Sequence, residues 1–336
     1  MTVAAAAARA AVSVAAHLGV ACDEPVVLAD GANVVVHLSP SPVVAKVAAS
    51  TPAVRADVAA WLQRELDVAV YLGRAGIPVL VPSGEVPATV YRGDGHVMSF
   101  WTYRRLDANV IPDEATIGSM LRDMHAALRS FPGSPPVLAP LEDIPAFLAR
   151  PQTLLSATDV SILTETFSRL MEKLAPTSKP GQVLHGDAGV SNLRAADGEW
   201  VWYDFEDTCW GPVAWDLAAT TASPRLDRSR ILAAYGDPVD AAQLDTCQQL
   251  RRLNLTIWYA LYAERLPECR PRATELLASW RTPALPDLQC DRGGFMVPRL
   301  RPGRGPGGAR RSGRVRGRGL WLAARAARTG QRPGRR

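Results

Sequence analysis

The side chains best suited to chemistry lie in one stretch, Leu184-His-Gly-Asp-Ala-Gly-Val-Ser-Asn-Leu193, followed by Trp200-Val-Trp-Tyr-Asp-Phe-Glu-Asp207. It offers His185 just before Asp187, Asn192 shortly after it, and a second acid, Asp204, on an aromatic segment. Leu193–Ala195 and Trp200–Phe205 have the composition of strands, and Asp197-Gly198 between them is a favoured hairpin turn pair. Such a hairpin sets Asn192 at the entry of one strand and Asp204 near the end of the other, with Asp187 close by. Two oxygen ligands placed in this way can grip one hard cation. Magnesium, held by few protein oxygens while phosphates complete its shell, suits that ligand set. The other use of such residues is to cap turns.

Other elements must bring a counter-charge to this site. Pro42-Val-Val-Ala-Lys-Val47 reads as an apolar strand with Lys46 at its centre, in a chain with only three lysines against 35 arginines. A desolvated ammonium needs a partner, because an unpaired buried charge is very costly. The segment Ala53–Arg74 has apolar residues at Val58, Trp61, Leu62, Ala69 and Leu72, which form one helical stripe at about 100° per residue. Glu65 falls in the middle of that stripe, so a Lys46–Glu65 ion pair is expected. Upstream, Val26–Leu28 and Asn33–Leu38 are strand-like and flank Asp30-Gly31-Ala32. A turn with glycine can bring backbone N–H groups to phosphate, and plain turn duty explains Gly31 equally well. Further strands are expected at Ile77–Pro82, Ala88–Tyr91 and His96–Trp101. Helices are expected around Ile117–Leu128 and Ile162–Leu174 (ended by Pro176), then at Asp216–Thr220, Leu226–Tyr235, Asp240–Arg265 and Glu268–Trp280.

The ordered pieces His185-Gly186-Asp187, Asn192 and Asp204-Phe205-Glu206 resemble the aminoglycoside phosphotransferase and choline kinase group of the protein kinase-like superfamily. Gly after His, and Glu in place of the DFG glycine, separate the chain from the protein kinases. Gly211-Pro-Val-Ala-Trp-Asp-Leu-Ala218 looks like that group's G-x-P-x-x-D-L-A segment, and Met124-His-Ala-Ala-Leu128 like its L-H-x-L pattern. The resemblance covers about residues 20 to 282. It implies an α+β fold, bilobal and protein kinase-like, with a small antiparallel-sheet N-lobe and a mainly helical C-lobe. The implied reaction moves the γ-phosphoryl of ATP (or GTP), with Mg2+, to a hydroxyl of an aminoglycoside-like or other small alcohol. Carried over by position, Asp187 is the base, Asn192 and Asp204 hold the metal, and Lys46, fixed by Glu65, holds the nucleotide phosphates. Backbone around Phe100 and Thr102 would face the adenine. His185 is a structural histidine, and Asp216 braces the catalytic loop. The alternative is a catalytically inactive nucleotide-binding or scaffolding relative, expected to have lost Lys46, Asp187, Asn192 or Asp204; all four are present.

Composition bounds the remainder. The chain of 336 residues is 47% apolar, enough for two lobes around a sizeable core. Its net charge of +5 conceals an asymmetry: residues 291–336 hold fourteen arginines and one acid, so residues 1–290 carry a net −8. An acidic body favours cationic acceptors such as aminoglycosides. The five cysteines are scattered and include no C-x-x-C pair, so neither a disulfide framework nor a zinc site is indicated. The Ala-rich Met1–Ala16 lacks a basic leader, carries Arg9 mid-run, and reads as a first amphipathic helix and not an export signal. A cytoplasmic enzyme with no membrane span is expected. The expected organisation is an N-terminal nucleotide-binding lobe at 1–102 (leading helix 1–22), a helical catalytic and substrate lobe at 103–282, and an Arg/Gly/Pro-rich disordered tail at 283–336. Nucleic acid would be met only non-specifically, through that tail.

Overall fold

The structure, a computed structural model, describes residues 2–174 and 181–281. The expected tail at 283–336 and the helix stop at Pro176 lie outside the described residues. Helix α1 (Val3–His17) begins at Thr2, whose hydroxyl accepts from the Ala5 N–H. Its alanines repeat at helical spacing, which gives a flat face that lies close on a sheet. That sheet holds β1 (Cys22–Asp30), β2 (Asn33–Pro40), β3 (Val43–Ala48), β4 (Tyr91–Gly93) and β5 (His96–Thr102), all paired antiparallel in the order β1-β2-β3-β5-β4. The two-residue repeat of a strand sorts its side chains. Val43, Ala45, Val47, Met98 and Phe100 pack with the α1 alanines, whereas Val44 and Trp101 belong to the core on the other side. Lys46 shares the parity of Val44 and therefore points away from α1. Helix α2 (Val58–Arg74) covers that second face, with Trp61, Leu62, Glu65 and Ala69 buried.

Three expectations are corrected here. Helix α2 starts at Val58, not Ala53: Thr51–Ala53 forms a short 3-10 turn, and Asp57 caps the helix by accepting from Ala60 N–H. Ile77–Pro82 forms only isolated bridges, Val79 to Trp202 and Pro82 to Trp101. Prolines at 78 and 82 remove the donors a continuous ladder would need. The segment is instead a stitch, since Trp202 N–H donates to Pro78 O at 2.9 Å and Thr102 N–H to Val81 O at 3.1 Å. The strand expected at Ala88–Tyr91 forms later, as β4.

The rest is mainly helical. The short β6 (Leu106–Asp107) leads to α3 (Glu114–Leu128), capped by Asp113, then α4 (Asp143–Leu148) and α5 (Ala157–Leu174). Strand β7 (Gln182–Leu184) pairs with β10 (Cys209–Gly211), and β6, β8 (Leu193–Ala196) and β9 (Glu199–Trp202) form a three-stranded sheet. The helices α6 (Ala214–Thr220), α7 (Arg228–Tyr235), α8 (Ala241–Arg265) and α9 (Arg270–Arg281) follow. Among the described residues, no helix is long and apolar enough to cross a membrane.

The start of α5 is tied to the end of α9. Asp159 Oδ2 accepts from the Ser156 N–H and hydroxyl at 2.9 and 2.7 Å, a reciprocal cap, and Asp159 Oδ1 accepts from Arg281 Nε at 2.6 Å. The Arg281 bond, with help from Ser156, holds this carboxyl below the usual range. Its stabilisation is therefore present above about pH 4, the ordinary aspartate value, and is lost as pH falls through the depressed folded value. Asp159→Asn should cost roughly 1–2 kcal/mol in urea unfolding at pH 7, discounted for the half-exposed arginine. The difference from the parent should shrink in acid.

Candidate active site

One cavity of about 1140 Å³ runs between the sheet of the N-lobe and the helical C-lobe. Lys46, Glu65, Thr102, Asp187, Asn192 and Asp204 all line it; Phe100 does not. The Phe100 ring lies on the α1 side of the sheet, and its carbonyl accepts from Ser83 N–H at 3.0 Å. Strand parity sends residue 100 to the face opposite Lys46, so Trp101–Leu106 form the cavity wall instead.

Lys46 Nζ lies 2.8 Å from Glu65 Oε2, the ion pair expected from the strand lysine and the glutamate within the helical stripe. Two further acids join it: Asp204 Oδ1 at 2.6 Å and Glu206 Oε2 at 2.8 Å. Lys46 is buried, as are Glu65 and Glu206, while Asp204 faces the cavity with its side chain 38% exposed. Burial alone would strip the lysine of its proton, but the three carboxylates outweigh it and hold the ammonium charged well above its ordinary value. Desolvation, opposed by Lys46, pushes the Glu65 carboxyl up. Asp204 sits just past the end of β9 in the left-handed region (φ 68°), which swings its carboxylate off the strand line and into the cleft. Aspartate is among the few residues that tolerate this conformation.

A second buried cation, Arg55, occupies the break before α2 that sequence periodicity missed. It donates to Asp143 Oδ2 and Asp207 Oδ1, each at 2.7 Å, and to Glu206 Oε1 at 2.9 Å, and it stacks 3.6 Å from the Trp61 ring. Asn33 Nδ2 completes Glu206 at 2.7 Å. Glu206 is thus fully engaged by Lys46, Arg55 and Asn33, which hold its carboxyl low despite burial.

The His185–Asp187 loop is braced by Asp216 at the start of α6. Its two carboxylate oxygens accept from the backbone N–H groups of His185 at 2.8 Å and Gly186 at 2.9 Å. His125 of α3 lies 2.9 Å from the same carboxylate and 2.9 Å from the Tyr235 hydroxyl of α7. The His185 ring lies 3.1 Å from the Tyr203 carbonyl through Nε2 and 3.2 Å from the Asp187 N–H through Nδ1. A carbonyl accepts and an N–H donates, so Nε2 carries the proton, Nδ1 is bare, and the ring is neutral. Burial also lowers its pKa. Both nitrogens are spent on backbone, so His185 holds the loop and moves no proton. Asn192 Nδ2 donates to Asp187 Oδ2 at 2.9 Å and to the Asp187 carbonyl at 2.8 Å. That leaves the Asn192 amide oxygen as its remaining polar atom. The turn at Gly31 is closed by its own chemistry: its N–H donates to Asn33 O, and Arg265 of α8 binds Asp30 and the Gly31 carbonyl. Arg251, also on α8, reaches Asp187 Oδ1 and the Gly186 carbonyl.

The donors fit a hard divalent cation. Carboxylate oxygens of Glu65, Asp204 and Glu206 lie within 4.8 Å of one another, with Lys46 shared by all three and Arg55 on Glu206. With Glu206 fully engaged, the cavity-facing Asp204, whose Oδ1 is shared with Lys46, and the amide oxygen of Asn192 are the groups placed to hold it.

Fold and site together define a bilobal kinase-like phosphotransferase. The chain belongs to the phosphotransferase enzyme family, whose model matches residues 28–253. Among solved structures, it is similar to the amicoumacin kinase hAmiN in complex with AMP-PNP, Ca2+ and Ami (13% identity, TM-score 0.58, covering 77% of this chain and 88% of that one). A microcompartment-associated aminopropanol kinase matches at 18% identity and TM-score 0.55, covering 80% of this chain and 95% of its own. The choline kinase LicA from Streptococcus pneumoniae matches at 16% and 0.53, covering 80% and 96%. At these identities the likeness shows the fold. A search of curated proteins found no match.

Two glycines give a test of the loop geometry. Gly186 (φ 86°) would put a Cβ 1.7 Å from the Asp207 carbonyl oxygen, whereas Gly198 (φ 88°), in the hairpin turn, has nothing within 4 Å. Gly198→Ala should cost only about 1 kcal/mol of backbone strain. Gly186→Ala should cost at least about 2 kcal/mol more in thermal unfolding, because it must part the catalytic loop from the Asp204–Asp207 segment. Equal losses for the two variants would contradict this contact.

Proposed function

We propose that this protein transfers the γ-phosphoryl group of ATP or GTP to a hydroxyl of a small molecule. The observation that carries this reading is the convergence of Lys46, Asp187, Asn192 and Asp204 on one cavity between the lobes. Lys46, anchored by Glu65, turns the N–H now held by Asp204 to a nucleotide phosphate oxygen when Asp204 takes up the metal. The wall from Trp101 to Leu106 faces the base, and the lobes divide near Thr102. Asp204 and Asn192 would hold Mg2+, which when bound neutralises charge building on the phosphates. Asp187 orients the acceptor hydroxyl and takes its proton, with Asn192 fixing one carboxylate oxygen and the Asp216 brace fixing the loop. This division of labour is mostly positioning and charge stabilisation, as phosphoryl transfer requires. The domain assignment, with an N-terminal nucleotide lobe and a C-terminal acceptor lobe, is part of the same proposal.

The experiment is nucleotide consumption by purified protein across a panel of small alcohols, amino sugars and hydroxy acids, followed by Asp187→Asn on the best acceptor. The variant keeps the size of the side chain and removes the base. Nucleotide affinity should stay within about twofold while kcat falls roughly a hundred- to ten-thousand-fold. Undiminished transfer by Asp187→Asn contradicts the mechanism. Tight nucleotide binding with no transfer to any acceptor favours the inactive relative.

A further inference from the structure

One side chain of the C-lobe holds the turn between β1 and β2. Arg265, in the last turn of α8, donates through Nη1 to Asp30 Oδ1, through Nη2 to the Gly31 carbonyl and through Nε to Ser50 Oγ at 3.3 Å. All three guanidinium nitrogens are thus spent on the turn and on Ser50, just past the end of β3. The Ser50 hydroxyl in turn donates to the Gly31 carbonyl at 3.2 Å, and its N–H to the Ala32 carbonyl at 2.8 Å. On its inner side the turn has a second tether, from Asn33 Nδ2 to Glu206 Oε2 at 2.7 Å.

The place of this clasp decides what it can do. Ala29, Ala32 and Asn33, on either side of the clasped residues, line the cavity, as do Trp258 and Tyr262, two turns and one turn before Arg265 on α8. Asp30, Gly31 and Arg265 do not line it, so the clasp lies behind this wall and joins its two halves. The wall adjoins the reacting groups. Asn33 bonds Glu206, which bonds Lys46, and Arg55, held by Asp207, lies 5.3 Å from the Trp258 ring centre. The far end of the cavity, at Arg105, residues 107–109 and the Asp197-Gly198 turn, is built from exposed residues and forms its open mouth. The Arg265 and Asp30 side chains are 18% and 14% exposed, so water can replace each partner at low cost. Arg55, 2% exposed, has no such alternative. Of the two arginine contacts, the Arg265 clasp is the one able to open and close.

Resting on the small-molecule kinase reading, we propose that Arg265 is a closing clasp that draws the β1–β2 turn onto α8 and seals the phosphoryl-transfer end of the cavity against water. A kinase faces a competing reaction in which water replaces the acceptor hydroxyl. The water oxygen bonds to the γ-phosphorus and the bond from that phosphorus to the bridging oxygen breaks. The nucleoside diphosphate leaves with that electron pair, a water proton passes to the Asp187 carboxylate, and inorganic phosphate is released. Closing segments suppress this loss by excluding water while the acceptor is held.

The experiment uses the full chain and the variants Arg265→Met, Arg265→Lys and Asp30→Asn. By hydrogen exchange, peptides covering the β1–β2 turn and Ser50 should exchange at least about tenfold faster in Arg265→Met than in the parent, while those of α3 and α7 stay unchanged. ATP hydrolysis without acceptor should rise by a similar factor, in proportion to the open population. With the best acceptor, the ratio of phosphate released to phosphoryl transferred should rise likewise. Arg265→Lys keeps the charge but loses the fork, and Asp30→Asn keeps the Gly31 contact, so both should fall between parent and Arg265→Met. Adding Asp30→Asn to Arg265→Met should change little further, because both remove one clasp. Should Arg265→Met fail to fold by thermal melting, the two milder variants carry the same ordering. Unchanged exchange at the turn overturns the clasp, whether or not the protein is a kinase. Faster exchange with an unaltered ratio of hydrolysis to transfer overturns the seal while leaving a working kinase. Faster exchange in a protein that neither hydrolyses nor transfers from nucleotide overturns the kinase reading, and the sealing role with it.

Discussion

Two buried cations set among five carboxylates are the constraint on which the structure depends. Lys46 and Arg55 face Glu65, Asp143, Asp204, Glu206 and Asp207, and Glu206 bonds to both. Removing such charges from water costs several kcal/mol each, and pairing recovers it only when the geometry is complete. The fold supplies the geometry from separate places: a strand, the turn before α2, helix α4 and the segment after β9. Because these belong to both lobes, the network also fixes the lobes against each other. Breaking it by removing one cation would leave acids buried without partners. The residual negative charge, concentrated at the cavity-facing Asp204, makes the site receptive to a divalent cation and its phosphates.

The catalytic loop depends on this network through backbone and not through side-chain chemistry. Gly186 lies against the Asp207 carbonyl so closely that no side chain fits, so the His185–Asp187 loop is packed directly on the Asp204–Asp207 segment. Asp216 receives two backbone N–H bonds from the loop and is itself held by His125, which the Tyr235 hydroxyl touches in turn. Helices α3, α6 and α7 therefore set where Asp187 points. Helix α8 closes the arrangement. Arg251, Trp258 and Arg265 recur every seven residues, close to two turns, and so share one face. That face touches Asp187 at one end and the β1–β2 turn at the other.

Much of the site was legible because its residues break local rules. A lone lysine in an apolar strand and a glutamate inside an apolar stripe announce each other, and the HxD, Asn and DFE pieces carry fixed spacings. Phe100 was expected to offer backbone, and its backbone is spent inside the sheet, opposite Ala45 of β3 with its carbonyl taken by Ser83 N–H, which side-chain alternation in the sequence does not reveal. Arg55 left no such signal, because it lies in a turn and its partners are 88 to 152 residues away in sequence. Arg251 was hidden by composition, one arginine among 35 on a helix buried around much of its circumference. The strand expected at Ile77–Pro82 failed because its prolines outweigh its apolar content.

The most direct test of the central claim, that the carboxylate cluster at Lys46 is a metal–nucleotide site, is calorimetric titration of ATP into the parent and Asp204→Asn, with and without Mg2+. Nucleotide binding by the parent should depend on the metal. In Asp204→Asn it should weaken at least about tenfold, the scale of one charged ligand, and recover in part at high Mg2+. ATP binding that is equally tight in both proteins and indifferent to Mg2+ would contradict the account.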